Sequence, residues 1–247
     1  MKKLILLSFA ALALSAAAFA QDREIDLRNW EDFNKIDLSK GRTRVDTGLS
    51  FAFPMNFAWT TLTNINYKGD WAGSDLAGFL NFDTGRNFVY GLQLIDVNIH
   101  YGALYLSAGL RWTFMDFTFK DNQTSIKQVG NSFVPYRIPT EISNYDYRKS
   151  KIHSTYFGLP VRLGVNFGKA TFYAGGSIEY LVNGYAKYKR PVSRAQMKAL
   201  FNPIRATVEG GFSYGILGVF VQYGLTSLFA QDLSDARTLT FGILLGL

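Results

Sequence analysis

Cysteine is absent from the 247 residues. That absence excludes disulfides, thiolate metal centres and cysteine nucleophiles. It also excludes lipid attachment at a mature N-terminal cysteine, so the chain is no lipoprotein and its fold must hold without covalent staples. Histidine is scarce, with His100 and His153 the only two. His100 sits beside the turn signal Tyr101-Gly102 and His153 precedes Ser154. Neighbours in an extended chain point to opposite faces, so His153 and Ser154 do not make a catalytic dyad. Metal-ligand spacing, a phosphate-cradling glycine loop and a paired-carboxylate motif are also missing. No catalytic, cofactor-binding or metal-binding residue stands out, and a non-enzymatic role is expected. After the first twenty residues there is no long apolar run either. A helix needs about 20 such residues to cross a bilayer, so no transmembrane helix is expected in the mature chain.

The first twenty residues read as an export signal. Lys2-Lys3 supplies the positive start, Leu4 to Ala17 the apolar stretch, and Ala18-Phe19-Ala20 the small-x-small cleavage pattern. Cleavage after Ala20 would leave Gln21 first. Residues 21–43 are polar and mixed in charge and read as a short periplasmic arm. The formal charge of +7 includes Lys2 and Lys3, so losing those two leaves +5. The densest basic cluster is Lys187, Lys189, Arg190, Arg194 and Lys198, around one loop. No continuous basic and aromatic interleaving accompanies it, and nucleic acid is not expected as a partner of an exported chain. Anionic lipopolysaccharide or phospholipid is the natural counterpart of a basic rim. A merely solvated loop is the plain alternative.

What the chain has in quantity is alternation. In Thr155 to Phe167 one row is Thr155, Phe157, Leu159, Val161, Leu163, Val165 and Phe167, and the row between is mostly polar or small. Successive strand side chains point to opposite faces, so this is a strand with one greasy face. Gly168-Lys169 is a tight turn, and the alternation resumes to about Val182. Strands in soluble domains run to about 5–6 residues, whereas a tilted membrane strand needs roughly 9–11. The same reading places strands at Arg44–Phe53, Phe88–Ile99, Ala103–Phe119, Ile204–Tyr214, Val219–Leu225 and Arg237–Leu247. Pro54 ends the first. A bulge near Ile95-Asp96 would repair a parity break there. At Asp116 either the span ends or a second bulge lies. Connections alternate long, short, long, short, with long stretches at Met55–Arg86, Lys120–Lys151, Arg190–Asn202 and Leu228–Ala236. Trp71 to Phe82 could add a short strand, and Ser193 to Phe201 a helical turn. The expected fold is all-β: an eight-stranded up-and-down antiparallel transmembrane β-barrel over residues 44–247.

The charges follow parity. Asp46, Glu179, Glu209, Arg111, Arg162 and Arg205 fall on the polar rows, three acids against three bases. Asp96, Asp116 and Arg237 fall on apolar rows, the last two at strand ends. A charge facing lipid near the midplane costs about 2–4 kcal/mol, while inside a narrow barrel the same charges can pair. An eight-stranded barrel is just wide enough for side chains to fill it, so a packed salt-bridge plug is expected in preference to a conduit. Tyr101, Phe167, Tyr173, Tyr214 and Tyr223 lie near turns and read as an interfacial aromatic girdle.

Four segments, Leu104 to Phe119, Phe157 to Glu179, Gly218 to Phe229 and Leu239 to Leu247, carry a resemblance to the eight-stranded outer-membrane β-barrel proteins of Bacteroidetes-type bacteria, the group that includes PorT. The chain departs from the usual outer-membrane ending, an aromatic residue, by closing on Leu247. The resemblance implies an outer-membrane location and a barrel, and a part in secretion across that membrane. The expected function is that of a non-enzymatic, monomeric barrel with a side-chain-filled interior, acting through its long loops as a surface-binding or secretion-associated component. Its expected partners are outer-membrane lipids, lipopolysaccharide and a protein reached through the loops. A lipid-modifying enzyme, a small pore and a soluble lipocalin-type ligand binder are the alternatives.

Overall fold

A computed structural model describes residues 43–48, 55–72, 78–101, 103–137, 149–189, 193–230 and 232–245, with backbone alone for 43–48, His100, Lys189 and Ser193. The signal expected at 1–20, the arm before residue 43 and the side chain of Asp46 lie outside the described residues. The strands are β1 (Thr43–Gly48), β2 (Met55–Thr63), β3 (Phe88–Tyr101), β4 (Leu104–Thr118), β5 (Thr124–Val129), β6 (Ser132–Arg137), β7 (Lys149–Phe167), β8 (Ala170–Lys189), β9 (Ser193–Gln196), β10 (Ile204–Tyr214), β11 (Leu217–Gly224) and β12 (Arg237–Leu245). A short helix, α1 (Gly69–Ala72), lies between β2 and β3.

Eight strands close on themselves. Their antiparallel order is β2, β12, β11, β10, β8, β7, β4, β3, and β3 returns to β2 through Met55↔Leu92 to Trp59↔Phe88. Closure gives each of these eight strands a partner on both sides. Gly168 (φ 62°) and Gly215 (φ 60°) sit in tight turns, where left-handed backbone suits a residue without Cβ. Among the described residues, the tight turns that join neighbouring wall strands lie at one end and the long connections at the other.

The wall differs from the sequence expectation at its first strand. Residues 55–63 were expected in a connection, yet β2 pairs along its whole length with β12, from Met55↔Leu245 to Thr63↔Arg237. β1 pairs with the lower part of β3 (Gly48↔Asp96), and β2 continues along the same edge from Leu92 upward. Pro54, read from the sequence as the end of the first strand, lies outside the described residues. The alternation of Met55, Phe57 and Trp59 against Asn56, Ala58 and Thr60 was present, but it is too short to stand out beside a proline.

Two parity breaks have different origins. The β3–β4 register shifts between Gln93 and Ile95, the bulge expected nearby. It turns Asp96 inward, where it accepts a hydrogen bond from the buried Ser107 Oγ at 2.7 Å. At Asp116 the register with β3 and β7 runs on unbroken. There the outward apolar row simply ends, and Phe117 points into a buried core. A further shift between Thr155 and Tyr156 lets β7 and β8 continue well beyond the apolar face.

The long connections carry structure of their own. β5 and β6 form a hairpin within the stretch read as irregular. Trp71 belongs to α1 and not to a strand extension. The expected turn near Ser193–Phe201 resolves into β9 and a 3₁₀ turn at Lys198–Leu200.

Candidate functional site: a filled lumen, an apolar cap and a charged rim

The apolar rows face outward. Leu163 is 60% exposed and Ile178 is 67% exposed, and Val161, Phe172, Val219 and Phe241 share that surface. A lipocalin-type arrangement would turn these residues inward. The belt is unbroken on β7 from Phe157 to Phe167, a length within the roughly 9–11 residues of a membrane strand. A shallow groove of about 600 Å³ runs along it between Phe172 and Phe212 on one side and Trp59 and Phe241 on the other. Tyr214 and Phe167 stand exposed at the turn end, as a girdle requires. Tyr173 does not join them. It is buried inside with its ring against the Arg162 guanidinium at 5.3 Å, because it belongs to the inward parity of β8.

The lumen holds the charges. Five of the six residues expected there, Arg111, Arg162, Glu179, Arg205 and Glu209, converge in one lattice and all are buried. Glu179 Oε1 accepts from Arg111 Nη2 at 3.1 Å, and its Oε2 accepts from Arg205 Nη1 at 2.6 Å. Glu209 Oε2 accepts from Arg111 Nη1 at 3.1 Å, and its Oε1 accepts from Arg162 Nε at 2.6 Å. Arg111 therefore bridges both carboxylates. Ser177 and Thr113 hydroxyls also donate to Glu179, and Gln222 Nε2 donates to Glu209. Each buried carboxylate thus meets two guanidinium groups and at least one neutral donor, which offsets the desolvation of the ions. Small residues make the room. A Cβ on Gly158 would come within 2.5 Å of the Glu179 Cγ. The space left beside Asn56, Gln93, Arg111 and Arg162 amounts to about 10 Å³. Sequence reasoning set Asp96 on an apolar row and left its direction open, and the parity break beside it was the signal that it turns inward.

Above Glu179 the interior becomes apolar. Tyr156, Leu181, Phe117 and Ile152 point inward from the walls and are buried. Leu200, Phe201, Leu228 and Phe229 come down on them from two connections. Phe201 lies against Gly184 so closely that a Cβ there would meet its ring at 2.6 Å. Trp71 packs edge-on to Phe79 (4.9 Å) and Phe229 (5.0 Å) and donates from Nε1 to the Phe133 carbonyl at 2.7 Å. Backbone bonds knit the connections together, including Lys68 N to Leu233 O and Asn202 N to Leu228 O. The connections form a cap with its own core across the mouth of the barrel. At its edge, Leu80 N–H donates to Tyr67 Oη. Burial raises the Tyr67 phenol above its ordinary value of 10.0, against the opposing pull of that hydrogen bond.

Outside, where the apolar belt ends, polar groups take over. His153 Nδ1 lies 2.6 Å from Asp116 Oδ1 and its Nε2 lies 3.0 Å from Thr155 Oγ1. Lys151 Nζ donates to Asp116 Oδ2 at 2.6 Å. The His153 ring stacks on Tyr185 at 4.6 Å between centroids. Sequence reasoning paired His153 with Ser154 and set the pair aside. The residue it does meet, Thr155, is two positions on and so shares its face. Among the described residues no group of three or more His, Cys, Asp or Glu side chains is placed to hold a metal ion. No described helix is long and apolar enough to cross a membrane.

No family model and no curated protein matches the chain. The resemblance to the PorT group therefore has no family match beside it. Among solved structures the chain is similar to Ail, the attachment invasion locus protein of Yersinia pestis. Identity is 11% and the TM-score 0.33, over 79% of this chain and 96% of that one.

Proposed function

We propose that this protein is a monomeric, non-enzymatic outer-membrane barrel that holds a rigid, loop-built cap at the cell surface for a protein partner. Export by the N-terminal signal, with cleavage after Ala20, would deliver it there. The observation that carries the reading is the inversion of the wall: an ion lattice fills the lumen while Leu163, Ile178 and their neighbours face outward. Such a surface is costly in water and at home among lipid tails, including those of lipopolysaccharide. The filled lumen argues against a diffusion pore. The cap is the part left to act, since loops on a rigid scaffold are where binding residues gather. A secretion-associated role of the PorT kind is the finer form of this reading.

The test is heat-modifiability on a gel with purified outer-membrane fraction. A faster-migrating band without boiling is expected. Recovery solely in the soluble periplasmic fraction, with no shift, would overturn the membrane reading. Replacing the loop segments 64–87 and 119–148 should keep that band and abolish capture of the partner. Unchanged partners after both replacements would overturn the role of the cap.

A second reading, a lipid-modifying enzyme, draws on one chain of contacts. Asp116, His153 and Thr155 follow the carboxylate–imidazole–hydroxyl order of an activated nucleophile. Against it, Thr155 is only 6% exposed, which keeps its hydroxyl from a lipid ester. Thr155→Val should leave the acyl number of lipid A unchanged, and a change would favour the enzyme.

A further inference from the structure

We infer that the outer rim of β7, β8 and β9 is a binding site for the phosphate groups of a membrane lipid headgroup. The inference rests on the membrane reading above and adds a ligand class and a place. Three cations stand in one row. Lys151 is the register partner of Lys187, and Lys187 is the register partner of Arg194. All three share the outward parity, since Ile152 and Ala186 beside them are buried inward. Side chains directly opposite on neighbouring strands lie about 4.5–5.5 Å apart at Cβ, and like charges so placed repel. Asp116 meets this row at one end only, through Lys151. An anion bridging Lys187 and Arg194 would relieve the repulsion at the other end.

Two aromatic rings hold cations at this level. The Arg194 guanidinium lies 3.8 Å from the Tyr185 ring centroid, and Lys198 Nζ lies 5.4 Å from that of Tyr180. Tyr180 is itself the upper edge of the apolar belt on β8, with Val182 beside it. The cations therefore stand one or two rows above the surface that meets acyl chains, at the depth of headgroup phosphates. A soluble phosphate has no use for the adjoining belt, whereas a phosphorylated lipid uses both. The row lies at the long-connection end, away from the tight turns, and so faces the outer leaflet.

The experiment uses the full mature chain refolded into phosphatidylcholine vesicles, with and without diphosphoryl lipid A, followed by extraction and counting of retained lipid A. Wild type should retain lipid A, and Lys187→Ala with Arg194→Ala should weaken retention by about 30-fold, at roughly one fivefold step per cation near an anionic surface. Lys68→Ala with Arg86→Ala, two cations elsewhere on the molecule, should not. Equal retention by the rim variant and wild type would overturn the site. Displacement of lipid A by millimolar inorganic phosphate alone would assign it to free phosphate and overturn the lipid source. Insertion with a heat-modifiable band but no retention of lipid A by wild type would overturn this inference alone. Failure to insert even into neutral vesicles would overturn the membrane reading on which it stands.

Discussion

The barrel wall and the cap are built by opposite rules within the same strands. Below Glu179 the inward positions of β4, β7 and β8 carry Arg111, Arg162 and Ser177, while the outward ones carry Leu106, Leu163 and Ile178. Above it, the inward positions carry Phe117, Ile152 and Leu181, and the outward ones carry Asp116, Lys151 and Lys187. The change occurs within a few residues on each strand. The lower part suits lipid outside and an ion-paired polar lattice inside. The upper part has an ordinary apolar core with charged side chains outside it. The two regions differ in how they fail. A polar lattice is sensitive to the loss of any one partner, because the others stay buried and charged. An apolar core loses stability in proportion to the volume removed.

The largest effect should come from breaking the lattice. Glu179→Leu would leave Arg111 and Arg205 each short of a carboxylate. The expected cost is about 3–5 kcal/mol, read from the urea midpoint of vesicle-refolded protein. Adding Arg205→Met to Glu179→Leu should recover part of that loss, since an apolar replacement of both partners is cheaper than stranding one. A further loss in the double variant would contradict the paired-lattice account.

Trp71→Ala should cost a similar amount, about 3–5 kcal/mol, but only within the cap. Local regions can open on their own, so the heat-modifiable band should persist while protease cuts the connections faster. Loss of the band would mean that the cap and the wall fold as one unit.

Next in size is Ile178→Arg on the belt, expected to cost about 2–4 kcal/mol in a bilayer. The same change at Ile65, exposed on the cap side, should be nearly silent. Equal effects at both positions would deny the wall its lipid environment.

The smallest effect concerns Tyr67. Its folded value lies above the ordinary 10.0, so its contribution to the cap is intact below about pH 10 and is lost as pH rises through the folded value. Tyr67→Phe should remove that part of the alkaline increase in protease sensitivity. An unchanged alkaline profile would assign the opening to other groups.

Much of the wall was legible from alternation, because side-chain direction in a strand is a local property of period two. That is why Arg111, Arg162, Glu179, Arg205 and Glu209 could be assigned to one face before any partner was known. Tyr173 shows the limit of a second kind of cue: its nearness to a turn suggested the girdle, while its parity placed it inside. β2 escaped notice because a short alternating stretch after Pro54 carries little signal alone. Its place in the wall is set by β12 and β3, which pair with it from distant parts of the chain.

By itself, the sequence determined an all-β chain of long strands, each with one apolar and one polar row, the charges gathered on the polar one, and long connections at one end; which row faces outward was settled by the structure. The tertiary structure alone decided closure through β2, the inward turn of Asp96 at its bulge, and the choice of partners in the lattice. It also decided that the long connections share a core. The reason is one of range. Facing follows from each residue's neighbours, but Arg111 meets Glu209 across 98 positions of chain. Only the register of every intervening strand, and the ring they complete, brings the two to hydrogen-bonding distance.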